Sequence, residues 1–219
     1  MIIFPPHGAI ELVKSTPDAD NVVVDAARVS TSSKRNPERD AKLIRYLASH
    51  RHMSPFEHVH FTFKVRAPMF VARQWMRYRT GSFNEQSARY GEMSDDFYDP
   101  PLERMMLAGQ AKKNLQASGE PIEPGVARGA IAIMRGAYRE AYKAYEALLD
   151  LGVARELARA VLPVSLYTQF YWTVNLRNVV HFIQERDDSH AQWEIQQYAK
   201  AVRELVVEAA PVSARALLG

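Results

Sequence analysis

His58 to Arg79 reads HVHFTFKVRAPMFVARQWMRYR, and two backbone periods meet inside it. From His58 to Arg66 the residues alternate strictly. Val59, Phe61, Phe63 and Val65 share one face, and His58, His60, Thr62, Lys64 and Arg66 share the other. Side chains of an extended chain point to opposite faces in turn, so this is a strand with one buried side. Pro68 stands where a helix would begin, because its fixed φ suits the first turn and its missing N–H costs nothing there. Met69 to Arg79 continues that helix, and Gly81 marks its end.

Upstream, Ala9 to Lys14 reads as a short strand, and Asp18 opens a helix through Val22, Val23, Val24, Ala26 and Ala27. The polar run Thr31 to Pro37 is loop-like. Ala41, Leu43, Ile44, Leu47 and Ala48 form the stripe of a helix from Glu38 to His50. Downstream, Tyr98 to Gly125 is a long excursion holding one short helix. The longest helix follows Pro124, with Ile131, Met134, Tyr138, Tyr142, Tyr145, Leu148 and Leu149 at helical steps and Gly152 as its stop. A shorter helix spans Ala154 to Leu162. Leu166 to Val174 is a buried strand, and its Phe170, Tyr171 and Trp172 are core rather than a stacking platform. Asn175 to Gln184 is helical. Ser189 and Gln192 match a capping box for a helix carrying Ile195, Tyr198, Ala199, Val202, Leu205 and Val206. Few strands among mostly separate helices predict an α+β fold.

The 219 residues carry a formal net charge of +3, too little to argue for a nucleic-acid partner. There is no cysteine, which removes disulfides, cysteine-ligated zinc, iron–sulfur clusters and any thiolate nucleophile. No signal peptide is read at the N-terminus and no apolar run approaches membrane-spanning length, so a cytoplasmic protein is expected.

Chemistry concentrates in Arg73 to Tyr90, RQWMRYRTGSFNEQSARY, where Arg73, Arg77, Arg79 and Arg89 mix with Gln74, Asn84, Glu85, Gln86 and Ser87. Forked cationic donors beside amides suit a planar anionic ligand such as a nucleotide. Arg73, Gln74 and Arg77 would reach one side of the helix. The plainer alternative is a solvated basic helix end paired with Glu85. His50, His52, His58 and His60 with Glu57 invite a metal site, but no zinc-enzyme spacing is present and none is expected. Ser87 lacks a nucleophile elbow and reads as a hydrogen-bonding serine. Arg159, Asn175, Arg177, His181, Arg186 and His190 form a second polar series, in which Arg186 could instead pair locally with Asp187 or Asp188.

Arg77-Tyr78-Arg79, seven residues, then Ser87 resembles the Arg-His-Arg-x7-Ser signature of the flavin-dependent thymidylate synthases. Ala26 to Ser30, Ser54 to His58, Phe70 to Trp75, Asn84 to Tyr90, Ala158-Arg159, Leu162-Pro163, Trp172 to Asn175 and Ser189 to Ile195 match in the same order. One position departs from the signature, Tyr78 standing where the motif has histidine. The resemblance implies a single domain over 1–219, with an antiparallel sheet packed by long helices. It implies reductive methylation of dUMP to dTMP with FAD as cofactor, methylenetetrahydrofolate as carbon donor and NADPH as reductant, in a homotetramer whose sites draw on more than one chain. Carried over by position, dUMP would meet Gln74, Trp75, Met76, Arg77, Glu85, Gln86, Ser87, Ala88 and Arg89, with Arg159 at its phosphate. FAD would meet His52, Ser54, Arg77, Tyr78, Arg79, Glu85, Asn175, Leu176, Arg177 and His181. Arg186 would be the catalytic residue, stabilising the uracil ring as its N3 proton is lost. Two other classes compete: an RNA-binding module built on Arg73, Trp75, Arg77 and Arg79, and a metal-dependent hydrolase built on the histidines.

Overall fold

The computed structural model describes residues 1–4, 7–31, 34–113 and 118–219. Parts of the Thr31 to Pro37 run and of the Tyr98 to Gly125 excursion therefore lie outside the described residues. Five strands form one antiparallel sheet: β1 (Ile2–Phe4), β2 (Gly8–Ser15), β3 (His60–Pro68), β4 (Ser82–Glu85) and β5 (Tyr167–Asn175), in the order β1-β2-β3-β5-β4. The α+β expectation holds, and the alternating stretch becomes β3 near the sheet centre. His58 and Val59 are the exceptions: His58 ends a 3-10 turn (Ser54–His58) rather than sharing a strand face with His60, and Val59 joins that turn to β3.

Nine helices are described: α1 (Ala19–Ala27), α2 (Pro37–Ser49), α3 (Met69–Trp75), α4 (Leu102–Met106), α5 (Pro124–Asp150), α6 (Arg155–Ala158), α7 (Leu176–Arg186), α8 (Trp193–Ala209) and α9 (Pro211–Leu218). On the apolar face of the sheet, Phe61, Phe63, Val65 and Ala67 of β3 are fully buried. Their partners across the strand pair include Val174, Trp172 and Phe170, which are buried with them. Each buried Phe or Val among them is worth roughly 1.5–3 kcal/mol relative to exposure. The opposite face is more open: Tyr171 is 42% exposed, so only Phe170 and Trp172 of that aromatic set belong to the core. A smaller cluster of Ala88, Met93, Tyr145, Ala158 and Leu166 gathers beneath α5. Gly152 closes α5 at φ 79°, where its N–H and that of Val153 bond back to Leu149 and Leu148.

Two junctions position everything that follows. β3 runs straight into α3 through Pro68, and β5 runs straight into α7 through Asn175, whose side chain caps the helix by accepting from the Asn178 N–H at 3.0 Å. The strands are antiparallel, with His60 opposite Asn175 and Pro68 opposite Tyr167, so the two helices start from opposite ends of the sheet. Both turn onto the apolar face, where Trp75 at the end of α3 stacks on Phe182 of α7 with ring centroids 4.6 Å apart. Their C-terminal ends therefore converge.

Some expectations fail in detail. α3 stops at Trp75 rather than Arg79, because Trp75 is fully buried and the next residues form turns, with Tyr78 N–H bonded to the Trp75 carbonyl. The Ser189–Gln192 capping box does not form: α8 begins at Trp193 without a side-chain cap, and the His190 N–H goes to Asp188 Oδ1 at 2.8 Å.

Candidate active site

The turn after α3 carries Arg77, Tyr78 and Arg79, and α7 ends at Arg186. Tyr78 packs edge-on against His181 at 5.7 Å and Phe182 at 5.1 Å, and the Arg186 guanidinium stands 5.4 Å over its ring. Burial raises the Tyr78 hydroxyl above the ordinary phenol range, while Arg186 pulls it back down. The local-pairing alternative for Arg186 fails, because Asp187 is held by Arg203 at 2.8 Å and Asp188 by His190 at 2.8 Å. The Arg186 Nε–H is buried with no hydrogen-bond partner among the described residues. Such a donor is costly to leave unpaired, which marks it for a ligand acceptor.

Two cavities are of interest, and the first adjoins this point through His181. The first, about 630 Å³, is lined by Arg51, Met53, Arg177, Asn178, His181 and Gln184, with Ala48, Val180, Ala216 and Leu217 as its apolar wall. Cations and amides on one side and methyl groups on the other fit a ligand with a phosphate and a flat ring. Arg177 is already paired with Glu57 at 2.5 Å, which reduces its free charge. The second cavity, about 500 Å³, brings together Arg73, Glu85, Gln86, Ala88, Glu156 and Arg159. β4 delivers Glu85, whose carboxylate accepts from Thr168 Oγ1 at 2.7 Å instead of pairing with the arginines. Arg77 and Arg79 form no ion pair among the described residues and stay exposed, so the paired helix-end alternative is not what the fold makes. Arg89 lies 3.5 Å from Glu156, and Ser87 Oγ accepts the Arg89 N–H at 3.3 Å, shaping the loop between β4 and that cavity.

Several expected residues do other work. Arg73, Gln74 and Arg77 do not share one side: Arg73 faces the second cavity, while Gln74 bonds to Gln192 at 2.5 Å. Trp75 and Leu176 are fully buried; the Leu176 N–H is spent on the Val59 carbonyl, while the Trp75 indole N–H has no hydrogen-bond partner among the described residues. Ala88 is nearly buried and Met76 half-buried against the core. His52 and Ser54 are exposed at the edge of the first cavity, whose wall is built by their neighbours Arg51 and Met53. Asn175 serves as the cap of α7. His50 stacks on Tyr46 at 4.0 Å, and no group of three or more His, Cys, Asp or Glu is placed to hold a metal among the described residues. Arg51 and Gln184 were missed because nothing in their spacing sets them apart from surface residues.

Comparison with known proteins gives the family. The family model described as "Thymidylate synthase complementing protein" matches residues 11–212. The flavin-dependent thymidylate synthase of Thermosipho africanus is 47% identical over 212 residues, covering 96% of this chain and 91% of that one. The chain belongs to the flavin-dependent thymidylate synthases. The synthase of Thermus thermophilus is 49% identical over 207 residues, covering 94% of this chain and 74% of its own. A crystal structure of the UMP/dUMP methylase PolB from Streptomyces cacaoi, bound with 5-Br dUMP, superposes with a TM-score of 0.85 at 39% identity, covering 95% of this chain and 94% of that one. A second PolB structure, with 5-Br UMP, gives 0.86 at 40%. A synthase of this family is a flavoprotein, and FAD is its cofactor. No helix among the described residues is long and apolar enough to cross a membrane.

Proposed function

We propose that this chain methylates C5 of dUMP to give dTMP, taking the carbon from methylenetetrahydrofolate and the electrons from NADPH. One observation carries the reading: a guanidinium with an unpartnered buried Nε–H stands at the meeting of two helix ends, in a chain with no thiol. Without a cysteine to add to C6, the pyrimidine must be made nucleophilic electrostatically. Arg186 beside N3 and O4 stabilises the charge that develops on the ring as the N3 proton leaves. Glu85, Gln86, Ser87, Arg89 and Arg159 hold and orient the nucleotide, with Arg159 at the phosphate, and Gln74 and Arg77 contact it from the α3 side. The cofactor lies toward His52, Ser54, Arg77, Tyr78, Arg79, Asn175, Arg177 and His181, with Arg51 and Asn178 added by the cavity wall. When bound, FAD supplies the two electrons that turn a transferred methylene into a methyl.

Residues 1–219 act as one unit in a cytoplasmic homotetramer whose sites combine chains. Support comes from the two cavities, which share no lining residue within one chain, and from exposed Val126, Ile133, Leu151 and Leu157 along α5 and α6. The test is dTMP formation from dUMP, methylenetetrahydrofolate and NADPH with FAD added. Protein that takes up no flavin and makes no dTMP overturns the reading. UMP belongs in the same assay, because the solved relatives are described as acting on both nucleotides.

A further inference from the structure

Gln74 sits at the end of a chain of side chains that begins with a buried carboxylate. Glu194 is 5% exposed, and its Oε1 accepts from Tyr98 Oη at 2.9 Å and Arg104 Nε at 2.8 Å. Its Oε2 accepts from Gln192 Nε2 at 2.8 Å. Gln192 Oε1 in turn accepts from Gln74 Nε2 at 2.5 Å, and the same Nε2 lies 3.5 Å from the Phe70 carbonyl. Amide orientation is normally a matter of assignment, since oxygen and nitrogen look alike. Here the chemistry fixes it. Burial pushes the Glu194 carboxyl up, but Arg104 and Gln192 together hold it below the ordinary carboxylate range, so it is ionised and can only accept. Gln192 must turn its NH2 to Glu194 and its carbonyl to Gln74. Gln74 must then spend its NH2 on Gln192 and Phe70, leaving Oε1 without a hydrogen-bond partner among the described residues.

We propose that Glu194, through Gln192, is a positioning residue that makes Gln74 an obligate hydrogen-bond acceptor toward the nucleotide. This rests on the reading that Gln74 meets dUMP. The group it meets must then be a donor, the pyrimidine N3–H or a sugar hydroxyl, and not the phosphate or a ring carbonyl.

Replacing the carboxylate by its amide reverses the chain. In Glu194→Gln the new oxygen stays with Arg104 and Tyr98 and the new NH2 faces Gln192. Both downstream amides flip, and Gln74 now offers a donor. The expected result, by titration calorimetry with dUMP on FAD-loaded protein, is affinity lower by about tenfold for Glu194→Gln, the loss of one hydrogen bond, with FAD content unchanged. Adding Gln74→Glu restores an acceptor and recovers most of the affinity. Should Glu194→Gln fail to fold, Gln192→Leu, at an exposed position, breaks the chain and lowers affinity similarly. Wild-type affinity in the folded single variant, or no recovery in the double, overturns the proposal alone. Wild-type protein that binds no dUMP overturns both it and the reading beneath it.

Discussion

At position 78 a phenol ring touches His181 and Phe182 and carries the Arg186 guanidinium on its face. A cation over a half-buried ring is worth about 0.5–2 kcal/mol, enough to bias one arginine rotamer. Tyr78→Leu keeps the apolar contact but removes that face. The KM for dUMP is expected to rise several-fold in steady-state kinetics, with thermal stability little changed. Arg186→Ala removes the developing-charge partner itself. Turnover is expected to fall by about 100-fold or more while the protein keeps its flavin; release of flavin with dUMP affinity intact would show that Arg186 serves the cofactor instead. Arg104 and Glu194 give a residue-scale prediction for acid. The Glu194 carboxyl titrates below its ordinary value of 4.5 in the folded chain, so its contribution to stability is full above that value and is lost as pH falls through the folded one. Arg104→Met strips the largest lowering influence, and the acid-unfolding midpoint followed by circular dichroism should move to higher pH.

β3 was legible because its alternation follows burial, with Phe61, Phe63 and Val65 fully buried and the residues between them less so. β4 was not. Its four residues, Ser82 to Glu85, contain one apolar side chain, and only pairing with β5 makes them a strand. That pairing depends on Gly81, where a Cβ would lie 2.5 Å from Trp172 Nε1 and 3.0 Å from the Thr173 carbonyl. Gly81→Ala should therefore displace β4, carry Glu85 out of its cavity, and lower both the melting temperature and dUMP affinity; a variant with both unchanged would show that β4 tolerates the shift. β1 and α9 were missed for a related reason, being short end elements whose residues are settled by what they pack on. The motif named candidate residues, yet how the fold groups them was not legible. Helical spacing put Arg73, Gln74 and Arg77 on one side, and the early end of α3 separates them.

Across the whole molecule, the candidate site is assembled from long-range pairing. Tyr78 and Arg186 meet only because β3 and β5 are in register and launch α3 and α7 from opposite ends. The assembly reading carries its own number: a homotetramer of 24.9 kDa chains should sediment at about four times that mass. Ile133→Glu, on the exposed face of α5, should then lower the sedimenting mass while the fold persists. A wild-type monomer that is fully active would remove the shared-site reading. The register of β3 and β5 also has an optical consequence. Trp75 and Trp172 are completely buried where the helix ends converge, with ring centroids 5.3 Å apart, while Trp193 is 38% exposed. Two of the three indoles thus pack on Phe182 of α7, the helix whose Asn178, His181 and Gln184 line the first cavity, and indole emission overlaps flavin absorption. Loading the protein with FAD should quench its ultraviolet fluorescence, so that the intrinsic glow of the core becomes a label-free meter of cofactor occupancy.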